Sequence, residues 1–281
     1  YWWQFAEKTP RLYHLIGRYR LFEKHPNGYE YPNDPIKNVI VISRVTKHLS
    51  YLIVNNDSIW TANTAIYIIA KHYYFSFFQS TINECWSRKY SSTLESRLSY
   101  SPSDCFETFP FPNILPAEPE KVDENNPIVK KLDALGEEYH SLRKNMMLSF
   151  NIGLTNLYNA FHSPEEKRDE FVKLRSLHKQ IDETVLEAYG WTDIKLSHGF
   201  IAVPYLPAND RLRYTICEKA RLELLRRLLK LNFERHNEEV KELGLEPTSD
   251  KKVKKATTKK ASSHSKTPKN GPVPEGQGEL F

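Results

Sequence analysis

The chain contains little cysteine and no long apolar run. Its three cysteines, Cys85, Cys105 and Cys217, are far apart and show no C-x-x-C spacing, so neither a disulfide framework nor a zinc site is predicted. The most apolar stretch, residues 39–54, is interrupted by charged side chains, so we predict no membrane span. This composition favours a cytoplasmic protein with free thiols.

Motifs that would indicate catalysis are also absent. No G-x-G-x-x-G or P-loop follows a predicted strand, and the ten histidines fall in no metal-binding spacing. No [DNS]-P-P-[FYW] tetrapeptide occurs, and the nearest matches, Asp34-Pro35-Ile36 and Asn126-Pro127-Ile128, lack the second proline and the aromatic residue. The chain opens Tyr1-Trp2-Trp3 without methionine. We therefore expect a fragment that is inactive alone and holds no cofactor.

The positive charge is concentrated at the C-terminus. Residues 248–281 contain eight lysines against Asp250, Glu275 and Glu279, and this net of five positive charges equals the formal net charge of the whole chain. Their Lys/Thr/Ser/Pro-rich composition predicts a disordered tail over 247–281. Residues 1–247 are neutral overall, so the pI of 8.9 does not indicate a basic folded domain.

The fold class predicted from the pattern is α+β. Residues 1–113 indicate a mixed α/β domain, with strands over Asn38–Ser43, Ser50–Asn55 and Ala65–Ala70 and a helix over Tyr73–Tyr90. A Pro- and Glu-rich linker is predicted over 114–126, and an all-α helical region over 127–246. Its three helices are predicted to begin at Asn126-Pro127, at the capping box Ser163-Pro164-Glu165-Glu166 and near Asp210, the last ending at Leu243.

Two polar segments have side chains suited to DNA. Between two apolar strands, Arg44 can form a fork with guanine, Lys47 can reach a base or phosphate, and Thr46 and His48 can bond either. The segment from Trp86 to Tyr100 interleaves cations with hydroxyls, which suits phosphate contacts. The alternative interpretation of the first segment is a solvated hairpin connection. For the second segment it is a helix end followed by a polar loop. The candidates of the second segment are Arg88, Lys89, Ser92, Thr93 and Arg97.

An unusual string begins at the last residue of the second segment. The string is Tyr100-Ser101-Pro102-Ser103-Asp104-Cys105-Phe106-Glu107-Thr108-Phe109-Pro110-Phe111-Pro112. Pro110 and Pro112 disfavour helix at the preceding phenylalanines, so Phe109 to Pro112 is predicted to be a strap that docks on a core. Together with Trp2-Trp3-Gln4-Phe5 and Val41 to His48, this string resembles the target recognition region of large bacterial adenine-specific DNA methyltransferases of the type IIG/IIL restriction–modification class. Gly153 to His162 and Ala188-Tyr189-Gly190-Trp191 resemble the helical region that follows it there.

The resemblance implies a double-stranded DNA partner and a sequence-specific recognition role. The parent protein would bind S-adenosylmethionine in a methyltransferase core that this chain lacks, and would methylate a flipped adenine. Two alternatives stay open from the residues. One is a separate specificity or adaptor subunit without enzymatic activity, and the other is a helical scaffold that touches DNA only through its tail.

The last five residues form a short motif of their own. Gln277 is followed three and four residues later by Leu280 and Phe281, and this spacing resembles the peptide with which bacterial DNA-processing proteins dock on the sliding clamp. Two large apolar side chains at a chain end suit a pocket on a partner. A chance terminal Leu-Phe is the alternative interpretation.

We predict that the lysine tail supplies salt-sensitive, sequence-independent DNA affinity. Deleting residues 248–281 should flatten the dependence of log K on log salt, because fewer counterions are released, and should leave base preference unchanged. The measurement is fluorescence anisotropy with duplex DNA over a salt series. An unchanged salt slope after the deletion would instead identify the tail as merely solubilising.

Overall fold

The computed structural model describes residues 36–57, 60–61, 63–67, 69–94 and 97–242, without the side chains of Leu94 and Asn209. The predicted tail and the Gln277/Leu280/Phe281 motif lie outside these residues. Contacts divide the chain into two units, Tyr1–Phe233 and Glu234–Phe281. Of the second unit, only the C-terminal part of one helix is described.

Two small antiparallel sheets form the first half of the fold. The first contains β1 (Asn38–Ser43), β3 (Leu52–Asn55) and β4 (Thr64–Tyr67) in the order β3-β1-β4. The second contains β2 (Val45–Thr46), β5 (Ser92–Leu94) and β6 (Arg97–Ser99) in the order β2-β6-β5. The first two predicted strands are therefore confirmed, whereas the third ends at Tyr67 rather than Ala70. β1 is buried along Val39 to Ile42, as a central strand should be.

Two helices replace the single helix predicted over Tyr73–Tyr90. They are α1 (His72–Gln79) and α2 (Thr81–Tyr90). Ser80 between them has an extended backbone, and its hydroxyl accepts a hydrogen bond from the Asn83 amide. Ser80 is thus the N-cap of α2, and a capping serine inside an apolar pattern ends one helix and begins the next.

The Phe-Pro strap docks on the core as predicted. It follows the short helix α3 (Pro102–Cys105). Phe109 and Phe111 are both buried, with ring centroids 5.2 and 5.1 Å from that of Phe77. The Tyr189 hydroxyl donates a hydrogen bond of 2.9 Å to the Pro110 carbonyl, which fastens the strap to a later helix.

Helices dominate the second half, which also contains a β-hairpin. The elements are α4 (Pro127–Ser149), α5 (Leu154–Phe161), α6 (Asp169–Tyr189), the antiparallel pair β7 (Gly199–Ala202) and β8 (Leu212–Thr215), and α7 (Glu218–Glu242). The α+β class is confirmed, but the region predicted to be all-α contains this hairpin. Within the described ranges, no helix is long and apolar enough to cross a membrane.

Helix starts were predicted with mixed success. Asn126 caps α4 as predicted, since its Oδ1 accepts from the Ile128 amide at 2.9 Å. The start at Ser163 is wrong, because α6 begins at Asp169. The start near Asp210 is also wrong, because residues 212–215 pair with β7 and α7 begins at Glu218.

A shared core joins the elements before and after the predicted linker. One cluster of buried residues extends from Ile40 to Leu228. α1 packs on α4, where the Ser76 hydroxyl donates to the Leu132 carbonyl at 2.7 Å. Gly136 lies where α1 and α4 cross, and a Cβ added there would lie 2.3 Å from the His72 carbonyl oxygen. Only glycine allows this approach. The domain boundaries at 113 and 126 stay predictions.

We predict that Gly136→Ala destabilises the fold. The new methyl group would push α1 away from α4, and overpacking of this kind costs about 1–3 kcal/mol. Urea unfolding followed by circular dichroism measures the change. The control is Gly199→Ala, where an added Cβ meets nothing within 4 Å. Equal stability of the two variants would contradict the close approach.

Candidate nucleic-acid interface

The connection between β1 and β2 presents the first predicted recognition segment. The Arg44 amide donates to the Asn63 carbonyl at 2.8 Å, and the Arg44 carbonyl accepts from the Tyr100 amide at 2.7 Å. The backbone at Arg44 therefore links the two sheets. Ser43 and Arg44 are exposed, so their side chains stand at the surface on a fixed backbone.

Several of the predicted residues line a cleft of about 680 Å³ beside this connection. Donors and acceptors are mixed along its wall, as direct reading of base edges requires. Strand pairing sets Thr46 opposite Leu98, and Arg97 is the next residue along β6. The polar residues on the wall include Ser43, Thr46, Lys47, Arg97, Thr155 and Asp210.

A closed ring of five side chains borders this cleft, and three of its members line it. Lys47 Nζ donates to Asn159 Oδ1 at 2.8 Å and pairs with Asp210 Oδ1 at 3.2 Å. The other carboxylate oxygen of Asp210 accepts from Arg213, and Arg213 Nη1 donates to His48 Nδ1 at 2.6 Å. His48 Nε2 closes the ring on Asn159 Oδ1 at 2.9 Å. The ring, Lys47–Asn159–His48–Arg213–Asp210, joins the β2 end to α5 and to the hairpin.

The ring fixes the tautomer and charge of His48. Arg213 can only donate, so Nδ1 accepts and the proton resides on Nε2. His48 is 4% exposed, and burial followed by the charge of Arg213 lowers its pKa from 6.5 to about 4. Its ring also stacks on His162 at 5.3 Å. His48 is therefore neutral at pH 7 and lies beneath the cleft surface.

The residues of the second predicted segment separate into two groups. Lys89 and Thr93 are exposed and line another cleft together with Arg88. The Arg88 side chain is only 10% exposed, and its Nε pairs with Glu84 at 2.6 Å. Ser92 is exposed on β5, paired with Ser99. Trp86 and Tyr100 are buried in the core.

Sequence reasoning missed three members of the ring. Asn159 lies within the string Gly153 to His162, which resembles the family but carries no charge signal. Asp210 and Arg213 were assigned to a helix. A usable signal was the alternation Leu212-Arg213-Tyr214-Thr215, in which one cation interrupts an apolar strand pattern.

We predict that His48 makes the protein sensitive to acid. Its pKa is lowered in the folded state, so protonation favours the unfolded chain, and stability falls as pH drops from 6.5 towards 4, by at most about 1.4 kcal/mol per pH unit. His48→Gln keeps an acceptor and a donor and should reduce this slope. Urea unfolding at a series of pH values measures it.

The wild-type slope alone is insufficient, because the pKa values of His140, His162 and His178 are lowered as well. The quantity to compare is the slope difference between wild type and His48→Gln. Parallel curves for the two proteins would contradict a buried neutral His48.

Comparison with known proteins gives two matches. Residues 20–113 match the family model described as "MmeI, target recognition domain". One solved structure, the type IIL restriction–modification enzyme MmeI in complex with DNA, aligns over 74% of this chain with a TM-score of 0.50 and 19% identity. The chain spans 22% of the length of that structure. No protein with a curated description matches the chain significantly.

The family match covers the elements that carry the candidate interface. The matched residues include β1 to β6, the predicted residues from Arg44 to Arg97 and the strap to Pro112. The structural similarity extends beyond them and, at this identity, concerns the fold. Over residues 20–113 this chain is therefore similar to the MmeI target recognition domain.

Proposed function

We propose that this chain is the sequence-specific DNA recognition portion of a site-specific adenine DNA methyltransferase or restriction–modification protein. The observation that carries the proposal is the family match over residues 20–113. The cleft with mixed donors and acceptors supports it, because two cations and one carboxylate on its wall can distinguish base edges. The similar structure was solved as a DNA complex, which favours duplex DNA as the partner.

Within this proposal the predicted residues take two roles. Arg44, Thr46, Lys47 and Arg97 contact DNA in or beside the first cleft. His48 acts through the ring, since both of its nitrogens already have partners. Direct base contacts read the sequence, and the ring keeps the contacting side chains in place.

The methyltransferase chemistry belongs to the parent protein. S-adenosylmethionine would be its cofactor, and the bacterial cytoplasm its location. The described residues do not fit a nucleoside cofactor of the kind held at glycine-rich turns of parallel sheets, because their strand pairs are antiparallel and no glycine lines either cleft.

We predict that Arg44→Ala relaxes base preference while the fold survives. Loss of one bidentate contact costs about 1–3 kcal/mol at one base pair. Selection from a random duplex pool with the 281-residue chain, followed by sequencing, gives the preference of wild type and variant. Lys179→Ala is the control, because Lys179 is an exposed lysine on α6 that lines neither cleft.

The outcomes separate the proposal from its alternatives. A preference at one or more positions in wild type, lost at one of them in Arg44→Ala, supports recognition through Arg44. Wild-type binding that is independent of the DNA sequence favours the alternative in which the chain is a helical scaffold. An unchanged preference in Arg44→Ala removes Arg44 as a reader while leaving the recognition role intact.

A further inference from the structure

The second cleft differs in charge from the first. Its volume is about 710 Å³, and it lies between the α2–β5 segment and the connection between β7 and β8. Four cationic side chains line it, and no carboxylate does. In the first cleft, by contrast, Asp210 compensates the charge of Lys47. The four cations are Arg88, Lys89, Arg211 and Arg221.

Two of these cations are already neutralised. Arg88 pairs with Glu84 at 2.6 Å, and Arg221 Nε pairs with Glu218 at 2.7 Å. Lys89 and Arg211 are exposed, and no carboxylate of the described residues pairs with either. The cleft therefore keeps two uncompensated positive charges, which suit an anionic ligand.

The orientation of Arg211 suits a phosphate. Its Nε donates to the Leu206 carbonyl at 2.8 Å, which fixes the side chain against the hairpin connection. The terminal amino groups have no hydrogen-bond partner among the described residues. A guanidinium held in this way is pre-organised for two parallel bonds to a phosphate.

Neutral donors complete the cleft. The Thr93 side chain is exposed on β5, and the Tyr205 side chain is 49% exposed. Arg221 lies over the Tyr205 ring at 4.9 Å, which holds that ring at the cleft edge. Arginine, lysine, threonine and tyrosine are all among the side chains that contact DNA phosphates.

The two clefts are adjacent. Neighbouring residues of β6 line different clefts, Arg97 the first and Leu98 the second. The same holds at the hairpin, where Asp210 lines the first and Arg211 the second. One duplex that places base edges at the first cleft therefore brings its backbone to the second.

We propose that the second cleft binds a phosphodiester of the DNA backbone through Lys89 and Arg211, an inference that rests on the proposed recognition function. The hairpin beyond the family-matched residues thus contributes a DNA contact of its own. Lys89 was a candidate from the sequence, whereas Arg211 enters because it lines the same cleft in the folded chain. This cleft fixes position on the duplex and carries no base preference.

The test is the double variant Lys89→Gln/Arg211→Gln of the 281-residue chain. Losing the contact to this phosphodiester should reduce the slope of log K against log salt by about 0.9. Each single variant should lose about half of that. Base preference in pool selection should not change. The control, Lys179→Gln/Arg226→Gln, removes the same charge from exposed residues that line neither cleft.

Each result decides between the proposals. A slope equal to that of the control overturns the phosphate site while the wild-type base preference still supports the recognition function. A reduced slope with no wild-type preference supports the site and overturns the function. Calorimetry with inorganic phosphate tests a small-anion site, and phosphate binding with an unchanged DNA slope overturns the backbone assignment. Both residues are exposed, and unchanged unfolding midpoints verify that the variants fold.

Discussion

The candidate interface depends on the five-membered ring of Lys47, Asn159, His48, Arg213 and Asp210. Four of its five bonds join segments distant in sequence, whereas Arg213 and Asp210 are only three residues apart, and four of the five members are ionisable. A buried charge that loses its partner costs about 3–5 kcal/mol. The ring therefore closes as a unit, and the surface residues above it take their positions from α5 and the hairpin as much as from their own strands.

Two further buried polar groups, Arg143 and Asp182, attach helices α1 and α2 to the later helices. Arg143 on α4 donates to the Tyr51 carbonyl at 2.5 Å and to Gln79 Oε1 at 3.2 Å. Asp182 on α6 accepts from the Thr81 amide at 2.7 Å, at the first turn of α2. Burial raises the pKa of Asp182, but His178, His198 and the Thr81 hydroxyl outweigh it, so the pKa is lowered. The carboxylate stays charged where a helix N-terminus favours an anion.

Local patterns in the sequence predicted the elements that local forces decide. Asn126 caps α4, and the strap phenylalanines dock where their prolines indicate. The capping box at Ser163 failed because Arg175, on the helix that follows, donates to the carbonyls of Phe161, Ser163 and Glu166 and holds this stretch as a loop. The β7–β8 hairpin was not predicted for the same reason, because the bond from Arg213 to His48 and the strand pairing both lie beyond a local sequence pattern. Several of the predicted residues, Thr46, Lys47, His48 and Arg97, line one cleft, but the side chains that support this cleft come from long-range contacts that no single sequence window contains.

The ring also limits how the recognition segment could be exchanged between relatives. Only Lys47 and His48 lie inside the family-matched residues 20–113, while Asn159, Asp210 and Arg213 lie outside them. A graft that ended at residue 113 would place a foreign segment against Asn159, Asp210 and Arg213. In this chain those three side chains are positioned to bond Lys47 and His48. The natural unit of transplantation is therefore longer than the family match, and extends at least through the end of β8.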